Sequence, residues 1–178
     1  MSKFLIVSDN HGDRTILSDI IATWRPQVDG IFFNGDSELA AQDAVFDGVS
    51  TVIGNMDYDV DFVEARATTI DHVTFFQTHG HLYDVTTFNA WANLELLDKA
   101  ALESGAQVVL FGHTHIDGAL AYHGKLFINP GSTSVPKGPR AIIGGTYAVL
   151  IAETDKFVVH FYNRSHELLD NLTVEMAR

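Results

Sequence analysis

The chain has 178 residues, 46% of them hydrophobic and 19% charged, the balance of an ordinary globular protein long enough to build a core in one domain spanning residues 1–178. It contains no cysteine, which excludes disulfides and zinc–thiolate sites, so any metal must be held by oxygen and imidazole nitrogen. Eleven basic against 23 acidic side chains leave a net charge of −12, which repels polyphosphate backbones and argues against nucleic acid as a partner, while a small phosphate ester at a metal-charged site stays compatible with it.

Lys3 to Ser8 reads as a first strand buried on both faces. Asp13 to Trp24 follows with Ile16, Leu17, Ile20, Ile21 and Trp24 at helical spacing, and Pro26 lies just beyond. Gly30 to Asn34 and Val49 to Ile53 are further short strands, with a helix expected over Glu38 to Phe46. Val73 to Thr78 reads as a strand, hairpin-paired with Thr68 to Ile70, and a long helix is expected from Thr86 to Ser104, closed by Gly105. Gln107 to Phe111 returns as a strand.

Past residue 115 the pattern turns antiparallel. Ala119 to Tyr122 and Leu126 to Asn129 flank a His123-Gly124 turn, Pro130 to Gly145 reads as loop, and Thr146 to Glu153 pairs with Lys156 to Asn163. A last strand is expected over Glu167 to Val174. Phe4 to Val7 is too short for a signal-peptide core, and no apolar run approaches the roughly 18 residues of a membrane span, so the expected location is cytoplasmic, without a membrane partner. Phe88 and Trp91 are read either as core or as a surface for assembly into a homo-oligomer.

Five clusters of metal-type ligands punctuate this order: Asp9-Asn10-His11, Gly35-Asp36, Gly54-Asn55-Met56-Asp57, His79-Gly80-His81 and Gly112-His113-Thr114-His115. Each follows an apolar strand, and function in α/β proteins sits in the crevice outside the carboxyl ends of strands. Alone, an Asp-x-His or a Gly-Asp is more often a turn or a cap than a ligand. Five in series, holding five of the nine histidines, point to a metal site. In extended backbone the residues i and i+2 point the same way, so Asp9 with His11, and His113 with His115, can each reach one ion. Asp36 could bridge two ions, Asn55 offers an amide oxygen and His79 another imidazole. Such an oxygen-rich, imidazole-containing set suits Mn, Fe, Ni, Co or Zn better than Ca or Mg. His72, His123, His160 and His166 read as turn or surface residues.

The ordered set Asp-x-His, Gly-Asp, Gly-Asn-x-Asp, His-Gly-His and Gly-His-x-His resembles the calcineurin-like metallophosphoesterase superfamily. The short length and Asn129-Pro130-Gly131-Ser132 after the last cluster are similar to its small YfcE-type phosphodiesterases. The resemblance covers essentially the whole chain. It implies an α/β fold, a four-layer α/β/β/α sandwich of two mixed sheets, and two divalent metal ions, Mn first among them. It puts Asp9, His11, Asp36 and His115 on one ion and Asp36, Asn55, His79 and His113 on the other, with Asp36 bridging. The implied reaction is attack of a metal-bridging hydroxide on the phosphorus of a small phosphate ester, with Asp36 and Asn55 part of the catalytic centre.

One departure matters. Met56 stands where many relatives carry a histidine that stabilises the transition state or protonates the leaving oxygen. His81 is then either a substitute acid or a group orienting a ligand, and Asp57 is expected to orient the Gly-Asn turn or a solvent molecule. The leading reading is a phosphodiesterase. A phosphomonoesterase or nucleotidase with the same centre, and a non-catalytic scaffold of the same fold like the retromer subunit, are the alternatives. Lys137 and Arg140 are the only close basic pair near the motifs, too few to mark a monoester's extra charge.

Overall fold

A computed structural model describes residues 1–178. The first strand, β1 (Ser2–Val7), alternates strictly: Phe4 and Ile6 enter one apolar cluster while Leu5 and Val7 enter another, so both faces are covered. It pairs in parallel with β2 (Gly30–Phe33), which pairs in parallel with β3 (Ser50–Thr51). The crossover from β1 to β2 is α1 (Arg14–Trp24). The Asp13 side chain accepts the Ile16 amide at its N-terminus, and Ile16, Leu17, Ile20 and Ile21 pack on the sheet.

The second sheet begins with β4 (Ala65–Ile70) and β5 (Val73–Thr78), joined through Asp71 and His72, both at positive φ as a tight hairpin turn requires. It continues through α2 (Glu95–Leu102), β6 (Val108–Leu110), β7 (Gly118–Tyr122) and β8 (Lys125–Asn129). The chain then returns to the first sheet as β9 (Thr146–Ala152), β10 (Lys156–Asn163) and β11 (Val174–Ala177). The sheet orders are β11-β10-β9-β1-β2-β3 and β4-β5-β6-β8-β7. Between them lies a wholly apolar core that includes Phe4, Phe32, Phe75, Leu110, Ile128 and Phe161. The helices α1 and α2 cover the two outer faces, which gives the four layers expected from the sequence. No helix is long and apolar enough to cross a membrane.

Three expected elements differ. Glu38 to Phe46 is not an α-helix: Asp36 and Glu38 are left-handed, and the carboxylates of Asp57 and Asp59 take the Ser37, Glu38 and Ala41 amides, leaving one short turn at Ala44–Phe46. The helix expected from Thr86 to Ser104 keeps only Glu95–Leu102. Upstream, the Asn89 side chain accepts from the Thr86 amide and donates to Asp84, and these local side-chain bonds replace the helical ladder. The last strand lies at Val174–Ala177 rather than Glu167 to Val174, because the Asn163 side chain accepts the Ser165 and Glu167 amides and holds that stretch as a loop. Trp91 is partly buried, packed edge-on against Phe111 and beside Gly118, whereas Phe88 is fully exposed.

The parallel strands β1, β2 and β3 of one sheet, and β5, β6 and β8 of the other, end at loops that buried amides tie together. Gln77 donates to the carbonyls of Phe33 and Ser50, Asn34 donates to Phe111 O, and Asn129 donates to Gly112 O. These bonds join loops of both sheets around the five ligand clusters.

Candidate metal centre

Each cluster follows the carboxyl end of a strand: Asp9 after β1, Asp36 after β2, Asn55 after β3, His79 after β5, His113 and His115 after β6. The local backbone is not extended, as the spacing argument supposed. Asp9, His11, Asp36, His113 and His115 have φ of 56°, 42°, 58°, 66° and 60°, all in the left-handed region. Asp and His tolerate that region better than most residues, yet each costs about 1–2 kcal/mol. Each side chain is therefore aimed by its own turn rather than by strand alternation.

Several anchors hold these turns. The Asp57 carboxylate accepts the amides of Asp36, Ser37, Glu38 and Gly54 at 2.8–2.9 Å and the Ser37 hydroxyl at 2.9 Å. The Asp9 amide donates to Gly35 O, and the His11 amide to Asp36 O. The Ser132 hydroxyl donates to Asp9 O. At Gly54 a Cβ would fall 2.0 Å from Asp36 Oδ1 and at Gly112 2.1 Å from Ser8 Oγ, so both backbones must approach this closely without a side chain.

The ring nitrogens are sorted by their partners. His79 Nδ1–H donates to Asn34 O and His115 Nδ1–H to Val135 O, each at 2.6 Å, and His11 Nδ1–H donates to Glu38 Oε1 at 2.9 Å. With the proton on Nδ1, each neutral ring turns an Nε2 lone pair inward. There His11 Nε2 lies 3.1 Å from His115 Nε2, and His115 Nε2 3.1 Å from Asp9 Oδ1. His79 Nε2 lies 3.3 Å from Asp36 Oδ2 and 3.2 Å from Asn55 Oδ1. Asp9 Oδ2 takes Ser8 Oγ–H and the His113 amide, while the buried Oδ1 has no donor. One candidate ligand atom each from Asp9, His11, Asp36 and His115 lies within 4.8 Å of the others.

Ring nitrogens and carboxylate oxygens converging this closely need a cation between them, a proton or a metal ion. The hard oxygen and borderline imidazole donors, with no sulfur, fit a first-row divalent ion. Burial opposes charge on His79, but the Asp9 and Asp36 carboxylates reverse that and raise its pKa: a proton there occupies the place a metal ion would take. Burial likewise works against the Asp36 carboxylate, and His79, the Met56 amide and His11 hold it below its ordinary value. Burial and the charge on His79 depress His113 to about 4, which keeps this ring neutral and able to ligate.

A cavity of about 240 Å³ opens on these groups, lined by His11, Asp36, Asn55, Met56, Thr87, His113, His115 and Lys137. Lys137 reaches it, but the Arg140 guanidinium is committed to Asp117. The Met56 amide donates to Asp36 Oδ1 at 2.7 Å while its side chain is 40% exposed. His81 lies beside His79 and His113, with ring centroids 5.3 and 6.1 Å away, and its Nδ1 is buried without a partner. Asp57 does not line the cavity, and all its acceptor capacity goes to the turn it anchors. His123, His160 and His166 lie elsewhere, paired with Asp98, Thr173 and Tyr147. Sequence reasoning missed Glu38 as the partner of His11 and Ser8 as the partner of Asp9. The Ser-Asp-x-His run was the available signal for the second, whereas nothing local announces the first.

Residues 2–155 match the calcineurin-like phosphoesterase superfamily domain. The chain is 35% identical over 170 residues to the "Probable metallophosphoesterase YsnB" of Bacillus subtilis (strain 168), covering 94% of this chain and 95% of the relative. It superposes with a TM-score of 0.92 and 36% identity on a conserved Streptococcus pneumoniae TIGR4 protein described as a predicted phosphoesterase, covering 99% of this chain and 98% of the other. The phosphoesterase YfcE of E. coli shares the fold, with a TM-score of 0.66, 22% identity and 98% of each chain covered.

Proposed function

The chain belongs to the calcineurin-like phosphoesterase superfamily, and on that premise we propose that it is a dinuclear metal-dependent phosphodiesterase acting on small diesters. The observation that carries the reading is the convergence of three Nε2 lone pairs, fixed by their Nδ1 partners, on the unpartnered Asp9 Oδ1. Asp9, His11, Asp36 and His115 would hold one ion, and Asp36, Asn55, His79 and His113 the other, with manganese the ion we expect first and Ni, Fe, Co or Zn also compatible with the donors. Bound there, the ions would supply Lewis acidity and lower the pKa of water.

The chain's own residues account for the rest. Asp36, whose second oxygen is pinned by the Met56 amide, fixes the spacing of the two half-sites. Lys137, the one basic side chain other than imidazole at the cavity, meets a non-bridging phosphoryl oxygen. One such cation matches the single charge of a diester better than the double charge of a monoester. In hydrolysis the water oxygen bonds to phosphorus, one ester P–O bond breaks, and the departing oxygen needs a proton or must tolerate leaving as an anion. Methionine cannot donate that proton, so activated esters react best.

Chelator-stripped protein should hydrolyse bis-p-nitrophenyl phosphate only when Mn²⁺ is restored, and faster than p-nitrophenyl phosphate. A folded protein inert with Mn²⁺, Ni²⁺ and Co²⁺ would overturn the enzymatic reading, and a monoester preference would overturn the diester assignment.

A further inference from the structure

Beside the metal centre lies a second cavity, larger and of different character. It is an open surface groove of about 490 Å³, lined by Glu38, Leu39, Ala40, Tyr58, Asp59 and Val60. The walls of the two cavities touch each other. Glu38, on the wall of the second, bonds His11, on the wall of the first, and Tyr58 follows Met56 by two positions.

The chemistry of the walls selects what enters. No lysine or arginine lines the second cavity, so it offers nothing to a further phosphate. Its two carboxylates are engaged: Glu38 holds His11, and Asp59 accepts the amides of Ala41 and Asp61. What remains is the apolar surface of Leu39, Ala40 and Val60 and the ring of Tyr58. Tyr58 and Val60 are 82% and 89% exposed, so their side chains stand in solvent with no partner from this chain. An exposed aromatic ring over an apolar floor, next to the reacting centre, suits a flat uncharged group.

We propose that this cavity seats one ester arm of the substrate, an uncharged and preferably aromatic one, while Lys137 faces the anionic phosphoryl oxygen. The assignment rests on the phosphodiesterase reading for the identity of the anchoring group, and it narrows the substrate to diesters with at least one aromatic arm, such as an aryl group or a nucleobase-bearing one.

Isothermal titration of the Mn²⁺-loaded protein with diphenyl phosphate and with dimethyl phosphate tests this without requiring turnover. Diphenyl phosphate should bind about tenfold more tightly, the ratio that 1.4 kcal/mol produces. In Tyr58→Ala that preference should collapse to within about twofold. Tyr58 is too exposed for the substitution to disturb folding, and Phe88→Ala, an exposed aromatic that lines neither cavity, should keep the preference. Equal affinity for the two phosphates in the wild type, or a preference that survives Tyr58→Ala, would overturn the subsite. Preferential binding of diphenyl phosphate by a protein that hydrolyses no diester would sink the enzymatic reading and leave the subsite standing.

Discussion

The space between the two sheets and the ring of loops at their carboxyl edge obey opposite rules. Between the sheets the packed groups are apolar, down to the Gln77 amide at the edge of the loops, and the strands place them. At the loops the groups that converge are polar, five candidate ligands have left-handed backbone, and Asp9 Oδ1 has no donor. The first region lowers the free energy of the fold by burying area. The second raises it by strain and desolvation, and is held in place by anchors such as Asp57 and by the strands beneath it. Stability and chemistry are thus carried by different atoms.

That division can be broken by substitution. Asp36→Asn should lower turnover of bis-p-nitrophenyl phosphate by roughly a thousandfold or more while circular dichroism still reports a folded protein; unfolding, or retained turnover, would deny the separation. Phe75→Ala should do the reverse, costing about 3–5 kcal/mol in urea denaturation while the rate per folded molecule at low temperature stays within about twofold. Asp57→Ala lies on the boundary between the regions. It strips four amides and a hydroxyl of their acceptor, so it should cost about 1–3 kcal/mol and weaken Mn²⁺ binding roughly 10–100-fold, the first read by denaturation and the second by calorimetry.

Acid sharpens the comparison further. Below pH 6.5 the unfolded state takes up a proton on His113 that the folded state, with this group near 4, refuses, so His113 makes the metal-free protein lose stability from pH 6.5 toward 4. His79 has the opposite sign. Its raised folded pKa contributes stability that is complete below 6.5 and lost as pH rises through the raised value. Urea midpoints of metal-free protein should therefore peak near pH 6.5, and Mn²⁺, which displaces the His79 proton, should move the peak upward. An unchanged peak would count against His79 as a ligand. The smallest effect is reserved for Met56→His, which should speed alkyl esters more than nitrophenyl esters because only the former need a proton; equal changes on both would contradict that role.

Much of this was legible beforehand. Val73 to Thr78 and Lys156 to Asn163 emerge with the expected bounds because each is a short apolar run of strand-forming residues between turns, and α1 because its apolar stripe is continuous. The helix expected from Thr86 failed on Asn89 and Asn93, whose amides reach Asp84, a contact that periodicity does not weigh. The ligand clusters could be read because five of them recur in order, each after an apolar strand. Their aim could not: it depends on left-handed turns, on Asp57 reaching Asp36 from 21 positions away, and on Glu38 meeting His11 across 27.

Position 56 divides its labour between two parts of a single residue. The amide belongs to the scaffold through its bond to Asp36, and the side chain belongs to the mouth of the cavity, where nothing packs it tightly. A substitution there leaves the amide's bond to Asp36 in place, so the side chain that faces the cavity can change without first rebuilding the turn that aims Asp36.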